Sequence, residues 1–310
     1  MNDIVSVKYL SKHILFLLFF FLFIATDFSQ QLSLKQLTFS DTTHDGYPYW
    51  SPDGEFIIYS SGTGSYCTTM RVPSMGGPTI RLTDYFSQHA QWSPDGYYLI
   101  FDGEVGTRIF LATSEGGNPI RVVPEDILIK MSGMPCWAPD SRTIAFHSFG
   151  VLWTTDLSTG IFNRIFSIEG KKVLPYDWTS DGKFIYGSTL DTLTREYDLW
   201  KIPNAGGDPR QLTFLQGRQT KPSLSPDDSL IVFSSNHGGN ADLWVMHANG
   251  GGPVQITFYP GDENNPGYDV EPSWSPDGKW IAFSSTRTGY WAIWLMEVDL
   301  KFLHAKLNGN

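Results

Sequence analysis

The sequence is poor in cysteine, in positive charge and in long apolar runs, and each scarcity closes off a class of protein. Cys67 and Cys136 are the only cysteines in 310 residues, too few for a disulfide framework. They fall in non-neighbouring repeats, and a bridge would need their Cα atoms within about 7 Å. Both therefore read as small buried hydrophobes. Lys and Arg number 22 against 32 Asp and Glu, a formal net charge of -10. The only basic cluster is the pair Lys171–Lys172. Nucleic acid is not expected as a partner, because phosphate binding needs a basic surface. No H-E-x-x-H motif and no Cys/His pair at metal spacing is present, so neither a metal nor a cofactor is expected.

One apolar run stands out, "ILFLLFFFLFIA" from Ile14 to Ala25. Twelve residues rise about 18 Å as a helix, short of a hydrocarbon core of roughly 30 Å. Lys8 and Lys12 precede the run and "TDFSQQ" follows it. Residues 1–30 thus read as a secretion signal peptide, cleaved near Ser29–Gln31 or earlier, after Ala25. Membrane attachment is expected only if this segment stays uncleaved. No cysteine near its end offers a site for lipid.

What the chain has in quantity is aromatic residues (15%), 30 glycines and 19 prolines, which suit short strands joined by sharp turns. These residues are phased. "WSPDG" stands at Trp50, Trp92 and Trp274, with "WAPDS" at Trp137, "WTSDG" at Trp178 and "LSPDD" at Leu224. The intervals run from 41 to 50 residues, a period that matches units of four short strands. In each unit Pro sets φ, Asp caps the local backbone and Gly accepts a positive φ, which makes a tight turn. The turn aspartates are Asp53, Asp95, Asp140, Asp181, Asp227 and Asp277. A lone carboxylate per turn cannot supply the six to eight oxygens of a calcium site, so capping is their expected role. Dense β-formers follow, such as "FIIYS", "TIAF" and "IVFSS", then a third strand marked by Met70, Phe110, Trp153, Trp200, Trp244 or Trp294. A glycine turn and a fourth strand complete most units. The third unit has "LSTGIFNRIF" in their place.

The sixth unit lacks a fourth strand, whereas "KQLTF" (Lys35–Phe39) stands before the first and matches Gln211–Phe214 and Gln255–Phe258. A fourth strand at the wrong end of the chain makes sense if the ends meet. The expected fold is an all-β, six-bladed β-propeller of four-stranded blades over residues 31–298, closed by the amino-terminal strand. Residues 299–310 form a tail, either helical or a rival edge strand. Trp50, Trp92, Trp137, Trp178 and Trp274 are then expected to pack between blades.

These units resemble the TolB-like β-propeller repeat, a relative of the WD repeat, in "YPYWSPDGEFIIYS", "HAQWSPDGYYLIF", "KPSLSPDDSLIVFSS" and "EPSWSPDGKWIAFSS". The resemblance spans about residues 33–298. It implies a propeller and, with the signal, a periplasmic or extracellular location. TolB itself binds Pal through its propeller in the Tol–Pal envelope system. The same repeat style occurs in propeller domains of dipeptidyl- and oligopeptidases and in oligogalacturonate lyases. The separate domain that precedes the propeller in TolB has no room between the apparent signal and the first turn. The peptidases need a G-x-S-x-G elbow, which is missing, and the lyases need a metal-supporting histidine set.

Candidate binding residues come from the architecture. In a propeller the first strand of each blade is innermost, and its start lines one mouth of the channel. Counting three residues before each marker gives Tyr47, His89, Met134, Pro175, Lys221 and Glu271, with Asp45 and Asp269 nearby. Tyr47, His89, Lys221 and Glu271, together with those aspartates, are the expected ligand- or partner-binding set. His147 and His237 fall at positions that are usually surface or edge. The insertion "GDENNPGYD" (Gly261–Asp269) is either a functional or an ordinary exposed loop. No residue is assigned to catalysis. The expected function is binding of a protein or peptide at the channel mouth or loop face. Small-ligand or glycan binding is the alternative, and a lyase-like enzyme comes after that.

Overall fold

A computed structural model describes residues 33–63, 66–104, 108–124, 132–263 and 266–309. The expected signal segment lies outside these residues. From Leu34 onward the chain forms six four-stranded antiparallel sheets. The innermost strands are His44–Trp50, Gln88–Trp92, Ser132–Trp137, Lys171–Trp178, Gln219–Leu224 and Asp269–Trp274, in blades one to six. Each blade packs against the next, and blade six packs against blade one, so the sheets close into a ring.

Closure occurs as the displaced "KQLTF" requires. Strand Leu34–Gln36 pairs with Ala292–Glu297 of blade six, placing Gln36 opposite Trp294. The Leu37 N–H donates to the Ile293 carbonyl (2.8 Å), and the Ile293 N–H donates to Thr38 Oγ1 (2.9 Å). The strand ends earlier than the repeat suggests. Leu37 and Thr38 are buried, whereas Phe39 is 73% exposed. The tail forms helix Leu300–Leu307, with Asp299 capping the Lys301 N–H and Leu303 buried.

The repeated residues now have physical reasons. Four of the five marker tryptophans join hydrophobic clusters that span two blades. Trp50 packs with Ala282, Ile293 and Leu295 of blade six, and Trp92 with Ile58 and Leu82 of blade one. Trp137 packs with Ile100 and Ile109 of blade two, and Trp178 with Cys136 and Leu152 of blade three. Trp274 is equally buried. In the turns, the Asp53 carboxylate accepts from Ser51 Oγ (2.5 Å) and from the Glu55 N–H (2.9 Å), a local cap. These bonds, Ser51's first, hold the Asp53 carboxyl below its ordinary range. Asp95, Asp181, Asp227 and Asp277 repeat the pair of bonds. In blade three Ala138 removes the hydroxyl, and Asp140 takes Thr143 instead.

Ser141 and Asp228 replace the turn glycine yet keep its left-handed backbone, at φ 55 and 56. Both side chains reach a neighbouring blade's turn. Ser141 Oγ accepts from the Asp95 N–H (3.0 Å), and the Asp228 carboxylate accepts from the Ser180 N–H and hydroxyl. Cys67 and Cys136 are both free, the first partly buried and the second buried. Among the described residues no helix is long and apolar enough to cross a membrane.

Candidate functional site

The channel-lining segments are shaped by a break in the innermost strands. In five blades the register between first and second strands slips at the same place, around Tyr47, His89, Met134, Lys221 and Glu271. Those five residues are left-handed, with φ between 52 and 61. A bulky side chain rarely takes that backbone, and the cost is of order 1–3 kcal/mol each. A bulge bends the strand and re-aims its side chains. A regular strand would turn alternate residues away. Here residues one, two and three before the marker line the same cavity in every blade but the third, as in Tyr47–Tyr49 and Lys221–Ser223.

Blade four departs because Pro175 occupies the bulge position, and its ring locks φ near -65°. Its register slip is shorter, and Pro175 lies opposite Gly187. A Cβ on Gly187 would sit 2.5 Å from the Leu174 carbonyl oxygen. The other blades carry Tyr59, Phe101, Phe146, Phe233 or Phe283 at that column.

The six segments enclose a central cavity of about 80 Å³, where one water needs roughly 10–15 Å³ on the same measure. That is room for a handful of waters or the end of one side chain. All of Tyr47, His89, Met134, Pro175, Lys221 and Glu271 line it. Asp45 and Asp269 do not. Asp45 is buried within blade one, accepting from Ser61 Oγ (2.6 Å) and Thr43 Oγ1 (3.2 Å). Burial raises its pKa. Asp269 is buried within blade six against Ser285 and the Arg287 guanidinium. Both aspartates staple the ends of strands.

A polar network crosses the cavity from blade five to blade three. The Lys221 ammonium pairs with Glu271 Oε1 and lies 3.6 Å from the Tyr47 ring centre. Glu271 Oε2 accepts from the Tyr47 N–H (2.7 Å) and Ser284 Oγ (2.8 Å). The Glu271 N–H donates to Ser234 Oγ (2.9 Å). Burial raises the Glu271 pKa, but Lys221 and these donors outweigh it, so the carboxyl sits below its ordinary value. Burial lowers the Lys221 pKa against the pull of Glu271. Tyr47 meets the His89 ring edge-on, with centroids 4.1 Å apart. Glu271, above all, keeps the Tyr47 phenol protonated. His89 Nδ1 pairs with Asp102 Oδ2 (2.7 Å), and Asp102 also accepts from the Met134 N–H (2.9 Å).

Asp102 and Asp177 were not singled out in the sequence, and His147 was expected at a surface or edge position. Asp102 is buried and stands at the column held by Ser60, Ser188, Ser234 and Ser284 in other blades. His147 occupies the same column in blade three, partly buried rather than at an exposed edge, with Nδ1 unpartnered among the described residues. Burial lowers its pKa while Asp102 pulls the other way. Asp177 immediately precedes Trp178 and lines the cavity. It accepts from the Trp178 N–H (2.8 Å) and the Leu224 N–H (2.8 Å). Burial pushes its pKa up to about 7. The available signal was an acid where aligned repeats place a neutral residue.

Burial holds Cys136 as a thiol, its pKa far above the ordinary value. Among the described residues no group of three or more His, Cys, Asp or Glu is placed to hold a metal ion. His237 is exposed and packs its ring edge against Trp244. In the Gly261–Asp269 insertion, Gly261 bridges Pro266, and Asn240 Nδ2 donates to the Pro260 carbonyl (2.7 Å).

Residues 106–266 match the model of the TolB beta propeller domain. The chain belongs to the TolB β-propeller family. It is 26% identical over 202 residues to an uncharacterized protein of Agrobacterium fabrum, covering 61% of this chain and 64% of that protein's length. The structure of a putative TolB from Agrobacterium tumefaciens superposes with a TM-score of 0.66 at 18% identity, covering 87% of this chain and 98% of the other. An oligogalacturonate lyase from Vibrio parahaemolyticus superposes at 0.58 with 12% identity, over 88% and 95% of the two chains. At these identities the likeness shows a shared fold, and one fold carries different functions.

Proposed function

We propose that this TolB-family propeller is an exported, non-catalytic binding protein that takes a protein or peptide partner at the mouth of its central channel. The observation that carries the reading is the convergence of six inner strands on one cavity. Five of them bend into a disfavoured backbone to bring Tyr47, His89, Met134, Lys221 and Glu271 there. A closed fold needs no ionic pair on its axis. Small apolar residues would fill the same space without desolvating two charges. Fixed polar groups around a narrow opening suit recognition of a chain end or a protruding side chain. The resemblance of the repeats to an envelope propeller that binds protein agrees with this reading, as does the signal-like amino terminus.

The test is capture from the source organism's envelope extract with the chain lacking residues 1–30. The double variant Lys221→Met/Glu271→Gln serves as control, since it removes both charges and strands neither. A stoichiometric protein partner, retained at least tenfold less by the double variant, is expected. Tight sugar binding without a protein partner would overturn the proposal in favour of a glycan-binding propeller. Oligosaccharide turnover abolished by His89→Ala would overturn it in favour of an enzyme.

A further inference from the structure

The acids around the cavity are not partnered alike. Glu271 pairs with Lys221, and Asp102 pairs with His89. Asp177 lines the same cavity, and among the described residues no Lys, Arg or His forms an ion pair with it. Its two hydrogen-bond partners are the backbone N–H groups of Trp178 and Leu224. Two donors leave part of a carboxylate's accepting capacity unused. Tyr49 and Tyr176 line the cavity beside it, and the Asp177 charge contributes to raising the Tyr49 pKa.

The cavity already shows how it holds a cation. The Lys221 ammonium is gripped by one carboxylate and one tyrosine face, Glu271 and Tyr47. Asp177 with Tyr49 and Tyr176 supplies the same pair of groups from blades one and four, without a lysine of its own. A carboxylate and an aromatic face recognise ammonium and guanidinium groups by charge and by the ring quadrupole. We propose that Asp177, flanked by Tyr49 and Tyr176, receives an alkylammonium or guanidinium group of the bound segment: a lysine or arginine side chain, or a free amino terminus. This deepens the channel-binding reading and rests on it. The size agrees, since a cavity of about 80 Å³ admits the end of one such group.

The protonation of Asp177 supports the assignment. Burial raises its pKa to about 7 with a smaller push from Asp228, against the pull of its two N–H donors. Tyr49, Cys136 and Tyr186, the other titratable groups coupled to it, have pKa values raised by burial and stay protonated through neutrality. A cation bound there favours the ionised carboxylate, so its affinity rises as pH climbs through about 7. His89, Lys221 and Glu271 line the same cavity, and an Asp177 variant isolates the contribution of Asp177.

The experiment is calorimetric titration of the folded chain with four probes. They are Nα-acetyl-lysine amide, Nα-acetyl-arginine amide, norleucine amide with its free amine, and the neutral Nα-acetyl-norleucine amide. At least one cationic probe is expected to bind ten times or more tightly than the neutral one. Which of them does so distinguishes side-chain ammonium, guanidinium and terminal amine. Asp177→Asn is expected to bring that probe down to the neutral level. Should this variant not fold, wild-type affinity at pH 6 and pH 8 serves instead, with a rise expected for the cationic probe and none for the neutral one. Equal binding of cationic and neutral probes, lost in Lys221→Met/Glu271→Gln, would overturn the cation assignment and leave the channel reading standing. Binding of no probe would also overturn the assignment, and the channel reading would then rest on the capture experiment alone.

Discussion

Single residues fall into two groups in this molecule, those packed between blades and those lining the channel, and the repeat separates them. Each marker tryptophan is about 95% buried, and clusters such as Trp92 with Ile58 and Leu82 join adjacent blades. Trp92→Ala should cost about 3–5 kcal/mol, read as a markedly lowered melting temperature. An unchanged transition would contradict inter-blade packing. The cavity-lining residues were legible by counting back from the same marker, because the fold brings equivalent positions of all blades onto one axis. Asp45 and Asp269 were legible as acids near strand starts but not as buried staples, since that depends on Ser61 and Ser285 from the adjacent strands and on Arg287 from a turn. Asp102 and Asp177 escaped notice for the reverse reason. Their significance lies in which column they occupy, which becomes visible once strand register is known.

Among the elements, the short outer strands explain the "QLTF" motif. In blade four Gln211 Nε2 donates to the Thr213 carbonyl (2.8 Å), Leu212 is buried, and Thr213 Oγ1 accepts from the Leu199 N–H (2.8 Å). Blades five and six repeat both bonds with Gln255–Thr257 and Gln36–Thr38. The threonine therefore supplies an acceptor that a two-residue strand cannot. Thr213→Val should cost about 1–3 kcal/mol by leaving a buried N–H unpaired, while Thr213→Ser should retain most of the stability. Chemical denaturation of the two variants checks this, and equal losses would contradict a hydrogen-bonding role. Sequence repetition predicted these strands but extended the first to Phe39, because a repeated letter does not reveal that the last residue faces solvent. The innermost strands show the same limit. Their positions were legible, but their bulges were not, and neither was the pairing of Gly187 with Pro175.

At the scale of the whole molecule, burial of acids links stability to pH. Asp177 has its pKa raised to about 7 by burial, against about 3.9 when unfolded. The folded state thus holds the proton more tightly, and Asp177's contribution to stability falls as pH rises between about 4 and 7. Asp242, raised to about 6 by burial, acts in the same direction, whereas His147, lowered by burial, acts in the opposite one. The melting temperature of Asp177→Asn relative to wild type should therefore shift in the variant's favour between pH 5 and pH 8. A constant difference would contradict a buried, proton-holding Asp177.

Ring closure underlies all of these relations, and the strand that precedes blade one completes blade six at the seam. Backbone amide hydrogen exchange at Leu37 and Ile293 measures that closure directly. Their N–H groups bond across the seam to the Ile293 carbonyl and to Thr38 Oγ1. Closure predicts that both exchange as slowly as the buried Phe283 amide in the middle of blade six, opening only with global unfolding. Fast exchange at Leu37 and Ile293 beside a protected Phe283 would mean that the ring is not held shut by its amino-terminal strand.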